Sequence, residues 1–584
     1  MRNDQTKSSN SDIAAALDML ADLMELDAAN KYATIAVRKG ARRVAESNFS
    51  IEEAAARGSL TDIPDIGERI AAKIGEFIAT GKLAEIEEYL KTYPADLVAI
   101  QKIQGVGPRT ARKVWEELGV SSLAELETAA RSGRIAQLPG MGTRTAENIL
   151  KAIDRQRERG FRLLLGDVLP IAEEAVETLK KMPEARNVSY AGSVRRMKET
   201  VKDLDIIATA TEPGALTGSF CRLPMVADVI GSGPTKCSIR THTGLQVDLR
   251  VVPDDQFGNL LQHFTGSKEH NVALRELAIS LGLKVSEYGV EETDTGRLHK
   301  CVTEEEVYRL LGLDYIPPEL RENNGEIEAA AHGGLPHLIE DKDLKGDLHV
   351  HTSWSDGSAS IMEMASHAQR LGHSYMAISD HTQSMGMVQG LTPRKLEEQL
   401  GEIGRVNGEL EDFHIFASAE VDVRADGTLD LPDDSLAQLD FVTVSIHSGF
   451  NQSREQIMER LTAAMENPFV RAIGHPTGRL INERDPYDVD IGKIISLAAR
   501  SGTALEINSH YRRLDLSDLN ARAAQAAGVK LMINSDAHHP DQLALLRYGV
   551  ATARRGWVEP ADVLNTLSVS RLVKLLKKPK TGMD

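Results

Sequence analysis

The sequence predicts three kinds of fold in one chain: an all-α region over the first 160 residues, a mixed α/β region to about residue 320, and a C-terminal α/β barrel from residue 343. Three observations carry this. A glycine-centred hairpin pattern recurs three times before residue 150, and β-type apolar runs (VSYAG, LDIIATA, LQVDLRVV) begin at residue 188. After residue 343 short apolar strands alternate with helical stretches, and most close on a histidine or an acid, the pattern of a barrel whose site lies at one rim. A stretch rich in Pro, Gly and charge, 321–342, reads as a linker.

The 584 residues, 41% of them hydrophobic and 26% charged, are enough for several cores. No apolar run approaches the ~20 residues of a membrane helix, and the polar start lacks the apolar core of a signal peptide. A cytoplasmic, nucleoid-associated monomer with no membrane partner is expected. Cys221, Cys237 and Cys301 are scattered and without zinc-binding spacing, which excludes a cysteine-held zinc. The net charge of −18 argues against a polyanionic partner until its distribution is read. Residues 101–160 hold 11 Lys and Arg against 7 Asp and Glu, whereas 11 of the 17 histidines lie beyond residue 340 among the acid excess. Acid and imidazole together point to bound cations.

The repeats are IPDIGERIAAKI from Ile63, IQGVGPRTARKV from Ile103 and LPGMGTRTAENI from Leu138. In each, a glycine (Gly67, Gly107, Gly142) precedes a helix carrying Arg or Lys, so that main-chain N–H groups and a helix N-terminus face a phosphate without a side chain in the way. One such turn is as readily an ordinary helix connection; three are not. The second and third copies keep a further glycine, Gly105 and Gly140, where the first has Asp65. The repeats resemble helix-hairpin-helix motifs, which implies grip on a DNA backbone without reading sequence.

In GSVRRMKETVKDLD, Gly192 and Ser193 stand at a strand-to-helix turn, and Asp203 and Asp205 follow two apart on a strand, hence on one face. Asp248 lies on another apolar strand. Three carboxylates suit a pair of hard cations of the kind used in in-line phosphoryl transfer. A lone D-x-D is more often a solvated strand end; the added glycine-serine turn and third acid argue otherwise.

G-S-x-R-R, D-x-D, V-D-L-R and the FTGS of Phe264 to Ser267 together resemble a family X DNA polymerase. The resemblance implies a nucleotidyltransferase palm and thumb, with Asp203, Asp205 and Asp248 as catalytic ligands of two Mg²⁺ or Mn²⁺ ions. It further implies triphosphate contacts from Gly192, Ser193 and Arg196, Phe264 and Gly266 beside the sugar, and Asn271 at the base. Val201 and Lys202 stand where the eukaryotic repair enzymes have Ser and Gly, and His263 where they have Tyr. Lys73 occupies the position of that family's Schiff-base lyase lysine, although a lysine beside a DNA-binding hairpin is more often a phosphate contact.

Beyond residue 343, His349, His351, Asp356, His381, Glu420, His447, His475, Asp536 and His538 each sit at or near a predicted strand end. Imidazole with carboxylate and no thiolate suits Zn²⁺ or Mn²⁺, and nine groups suffice for two or three ions. The region resembles a PHP (polymerase and histidinol phosphatase) domain with every ligand of that pattern present, a distorted barrel of about seven strands. Asn508, Arg512 and Arg513 are further candidates to touch a DNA end.

The expected organisation is 1–90 lyase-like helical domain with the first hairpin, 91–160 fingers-like domain with the other two, 161–260 palm, 261–320 thumb, 321–342 linker and 343–575 PHP domain. The resemblance implies a DNA-directed DNA polymerase that fills short gaps in repair, with a metal-dependent 3′-5′ exonuclease and an abasic-site endonuclease in the second centre. Its partners would be gapped or primer-template duplex and deoxynucleoside triphosphates. The alternative is a histidinol-phosphatase-like phosphoesterase with a DNA-binding accessory region, which leaves the three aspartates without a task.

Overall fold

The computed structural model describes residues 10–46, 51–63, 65–103, 106–159, 162–384 and 390–577, and Gly105 lies outside them. Two compact units emerge: one holds residues up to 162 with 222–228 and 240–245, the other holds the rest. Among the described residues no helix is long and apolar enough to cross a membrane.

The first unit is helical. Its three glycine turns are built alike. Ile66, Val106 and Met141 each donate a main-chain N–H to the carbonyl three residues back, at 3.1, 2.8 and 2.9 Å, and Gly67, Gly107 and Gly142 then open the helices α1 (Glu68–Thr80), α2 (Pro108–Leu118) and α3 (Thr143–Arg159). The apolar residues flanking each turn (Ile63 and Ile66, Ile103 and Val106, Leu138) are buried in two helical cores. The period of the repeat thereby buries one face and leaves the glycine on the other.

The second unit begins with α4 (Leu165–Lys180) and holds β1 (Ala185–Tyr190), β2 (Asp203–Ala210), β5 (Gln246–Val252) and most of β3 (Val226–Ser232) and β4 (Lys236–Thr241), strands of a sheet ordered β1-β2-β5-β4-β3. β2 and β5 run parallel at its centre, where alternate residues are buried. Helices α5 (Phe257–Thr265) and α6 (Lys268–Ser280) and a three-stranded sheet follow, packed on a core of Leu274, Val290, Val307, Tyr308 and Ile316.

The stretch expected as a linker is not a spacer. Arg321 and Glu326 within it are fully buried, as are Leu338 and Ile339. Its charges look solvated in sequence but are spent on internal partners: Arg321 on Glu304, Glu326 on His270.

The barrel contains β6 (Gly346–Val350), β7 (Tyr375–Ile378), β8 (His414–Ala417), β9 (Glu420–Asp422), β10 (Val442–Ser445), β11 (Val470–Ile473), β12 (Ala504–Asn508) and β13 (Leu531–Asn534), all paired in parallel. Bridges His381 to Glu420 and Val350 to Ala537 join the three-stranded and five-stranded sheets. Only Ser418 and Ala419 separate β8, at the edge of the three-stranded sheet, from β9, at the edge of the five-stranded one. Every strand residue except His414 of β8 and Arg471 of β11 is buried, as in covered parallel strands. The helix α7 (Leu546–Arg555) closes the chain's return across β12 and β13.

Candidate active sites

In the sheet of the second unit, Asp205 and Asp248 are cross-strand partners, and Asp203, two residues before Asp205, shares its face. Ser238 and the Gln246 amide (3.0 Å) both donate to Asp248. Burial pushes the Asp205 carboxyl up to about 6, and the negative charges of Asp203 and Asp248 push it the same way. Three mutually repelling oxygen donors at one sheet end are a site that a hard divalent cation would relieve. The turn before them is tight. Ala191 donates its N–H to the Asp205 carbonyl (2.8 Å), and Gly192 has φ +65°, with its Cα so close that a Cβ would lie 3.1 Å from Asp205 Oδ2.

The remaining expected nucleotide contacts line the junction with the following helices. Phe264 lies under the Arg250 guanidinium, 4.6 Å from its ring centre. Gly266 is pressed on Asn271, whose Oδ1 would be 2.6 Å from an added Cβ. Asn271 itself accepts from Gln262 (3.1 Å) and donates to the His263 carbonyl (2.7 Å). Arg196 donates through Nε to Glu322 (3.0 Å) and through Nη1 to the Thr265 carbonyl (2.7 Å).

In the first unit, Gly67 and Gly107 have φ near −70° in extended backbone, open to any residue, and an added Cβ at Gly67, Gly107 or Gly142 would meet nothing within 4 Å. The glycines are therefore not required by the fold; they leave space before a helix N-terminus. Gly140 has φ +80°, and Asp65 adopts the equivalent left-handed conformation at +63° while paired with Arg43 (3.3 Å). Lys73 is ion-paired with Glu85.

At the barrel rim all nine expected groups gather. Glu420, fully buried, is central: Oε1 lies 2.8 Å from His475 Nε2 and 3.4 Å from His447 Nε2, and Oε2 lies 2.9 Å from His381 Nδ1, 3.5 Å from His349 and 3.7 Å from His351. Asp536 is 3.1 Å from His351 Nε2, and Asp356 is 3.3 Å from His538 and 3.6 Å from His381. Three groupings could each hold a cation: His351, Asp356, His381 and His538; His349, His351 and Asp536; His381, Glu420 and His447.

The donor set fits metal on an observation of its own. His349 Nε2, both nitrogens of His351, His381 Nδ1, Glu420 Oε2, His447 Nδ1 and His475 Nδ1 are buried and make no hydrogen bond among the described residues. Buried polar atoms are rarely left so, and here they converge. Electrostatics agree. Burial opposes ionisation of Glu420 and Asp536, but the surrounding imidazoles hold both well below the usual carboxylate range. Burial, with His538 and His381 beside it, depresses His351 to about 3, keeping its ring a neutral donor. His475 (φ +29°) and Asp536 (φ +56°) sit in left-handed backbone, strain of the kind found where a site dictates side-chain direction.

Some functional groups escaped the sequence reading. Glu506, mid-strand in β12, accepts from His349 Nδ1 (2.7 Å), the His475 main-chain N–H (2.7 Å) and Asn534 (2.9 Å), so it orients two candidate ligands from behind. Asp422 accepts from the His447 main chain (3.0 Å). Of the three residues that the sequence did single out, Asn508 donates to Asp536 (3.0 Å) and Glu506 (3.3 Å), Arg513 reaches within 3.7 Å of Asp536 and Arg512 pairs with Glu483 (2.9 Å).

Family models agree with this layout: a helix-hairpin-helix domain matches residues 8–83, a SAM-like helix-hairpin-helix tandem 97–155, a DNA polymerase beta thumb 260–322 and a PHP domain 347–510. The chain is 40% identical over 569 residues, 97% of its length and 99% of the relative's, to the DNA polymerase/3′-5′ exonuclease PolX of Bacillus subtilis strain 168. The chain belongs to the bacterial family X DNA polymerases that carry a PHP domain. Other relatives match a smaller share of this family X chain. A probable phosphatase of Thermoanaerobacter pseudethanolicus is 28% identical over 40% of this chain and 95% of its own length, and one of Acetivibrio thermocellus 29% identical over 33% and 78%.

Proposed function

We propose that this family X chain extends a primer 3′ end across short gaps at the Asp203, Asp205 and Asp248 site and removes 3′-terminal nucleotides at the barrel rim, in DNA repair. The observation that carries it is the occurrence, in one chain, of Asp205 paired across the sheet with Asp248, with Asp203 on the same face, and of three imidazole-carboxylate groupings at the rim. A phosphatase of the barrel type alone would need only the second.

At the first site the primer 3′-hydroxyl attacks the α-phosphate and pyrophosphate leaves. Asp203, Asp205 and Asp248 would hold Mg²⁺ or Mn²⁺ at the first site and the rim groups Mn²⁺ or Zn²⁺, and such cations would supply neutralisation of charge building on the phosphoryl oxygens. The Gly192–Ser193 turn and Arg196 receive the triphosphate, and Phe264 and Gly266 border the sugar, with Asn271 toward the base. At the rim the nine groups hold the cations while Glu506, Asp422 and Asn508 fix the ligands' directions. DNA is gripped through its phosphates at Gly67, Gly105, Gly107, Gly140 and Gly142. Lys73, engaged by Glu85, is assigned to this backbone grip and not to lyase chemistry.

The assigned domains are 1–90, 91–160, 161–260, 261–320 and 343–575, in a cytoplasmic monomer. Incubating the full chain with a 5′-labelled one-nucleotide gapped duplex tests the whole. Extension with deoxynucleoside triphosphates and 3′ shortening without them are expected. Shortening with no extension under Mg²⁺ or Mn²⁺ would leave only a phosphoesterase.

A further inference from the structure

The barrel and the strands β1, β2 and β5 share one compact unit, and the barrel docks through arginines onto acids of the polymerase part: Arg479 on Glu199 (2.7 Å), Arg547 on Glu173 (3.2 Å) and Arg554 on Glu319 (2.7 Å). At Gly166 the Tyr511 ring lies directly on the backbone, where any Cβ would overlap it. These contacts fix position. A fourth arginine does more.

Arg555, the last residue of α7, is almost fully buried. Its Nη1 donates to the main-chain carbonyl of Arg196 (2.7 Å) and to Glu322 Oε1 (3.0 Å), the same oxygen that accepts Arg196 Nε, while Nε and Nη2 are anchored on Asp518 (2.9 and 2.7 Å). One barrel side chain thus holds Arg196 at both ends, by its carbonyl and through the carboxylate that grips its guanidinium. Arg196 has five N–H donors. Glu322 and the Thr265 carbonyl take two, leaving the Nη2 pair and one Nη1 hydrogen in a fixed fork.

Charge points the same way. Burial disfavours ionisation of Glu322, yet Arg196, Arg555 and Lys198 hold its carboxyl below the ordinary value. Arg196 is offset by Glu322 and Arg555 by Asp518, so that Lys198, 3.9 Å from Glu322, leaves the cluster net positive, which favours an incoming polyanion at short range.

We propose that Arg555 of the exonuclease barrel is a positioning residue for nucleotide addition: it orients Arg196 and offsets Glu322, so that the barrel completes the triphosphate pocket of the polymerase. The proposal rests on the reading of Arg196 as a triphosphate ligand.

Steady-state filling of a one-nucleotide gap by the full chain tests it, comparing Arg555→Gln, Arg555→Lys, Arg196→Ala and the Arg196→Ala, Arg555→Gln pair. Arg555→Gln is expected to raise KM for the nucleotide about tenfold with kcat within about twofold, since a lost charge-assisted contact acts on binding. Arg555→Lys should recover part of the loss, and 3′ digestion should be unchanged. On the Arg196→Ala background Arg555→Gln should add nothing, because the two act as one unit. An unchanged KM in Arg555→Gln, or a loss that adds in full on that background, overturns the proposal. If the Gln variant also loses thermal stability or digestion, the same cycle still decides. Arg196→Ala with unchanged KM would instead overturn the reading of Arg196.

Discussion

Asp205 and Asp248 stand directly opposite one another across the parallel pair β2 and β5, and among the described residues no basic side chain is hydrogen-bonded between them. On the proposed reading the pair repels itself without a cation and forms a ligand set with one. Asp248→Asn is expected to lower nucleotide incorporation at least about a hundredfold and yet raise the unfolding free energy in chelator by about 1 kcal/mol, the scale of one pKa unit of relieved repulsion. Gap filling and melting in chelator check the two halves.

Glu506 should matter as much to metal retention as a direct ligand. Glu506→Gln leaves the shape but loses the charge that orients His349 and supports the His475 main chain. A 10–100-fold weaker metal affinity is expected, the usual scale for loss of a carboxylate behind a ligating histidine. Titration of Mn²⁺ by calorimetry, not turnover, is the measurement.

Glu304 lies buried between Arg195 (2.6 Å) and Arg321 (2.5 Å). Burial opposes its ionisation, but Arg321 and Arg195 prevail and hold the carboxyl at about 2, below the ordinary value of 4.5. The folded state thus keeps this proton off where the unfolded chain takes it up. The stabilisation is complete above about pH 4.5 and drains away as pH falls toward 2. Glu304→Gln is expected to cost about 3 kcal/mol at pH 7, and its deficit against the parent should shrink by about 1.4 kcal/mol per pH unit below 4.5, read from urea unfolding at pH 6 and 3.5.

The hairpin glycines separate binding from folding. Because Gly107 and Gly142 have open space where a Cβ would stand, Gly107→Val with Gly142→Val should leave unfolding within about 1 kcal/mol. Affinity for gapped duplex should fall about tenfold, measured by fluorescence anisotropy at one fixed salt concentration. Gly140→Val is the contrast: at φ +80° it should destabilise by about 1–2 kcal/mol.

What the sequence disclosed and what it hid divide along chemical lines. His349, His351, His381, His447 and His475 were legible because each lies near or just past the end of an apolar strand, and parallel strands with covered faces end at one rim. Three copies of the glycine turn served as their own control. Glu506 was hidden because a glutamate inside ALEINS reads as one more strand residue; only folding brings it behind His349, 157 positions away. Residues 321–342 were misread as a linker because Arg321 and Glu326 have the same letters whether solvated or buried. Arg555 meets Arg196 across 359 positions, and no local pattern links them.

The most direct test of two independent centres in one chain uses a single 5′-labelled gapped duplex and two variants of the full protein. Asp205→Asn should abolish extension and keep 3′ digestion, and His351→Asn should abolish digestion and keep extension. Loss of both activities in each variant, with unfolding unchanged, would contradict the account.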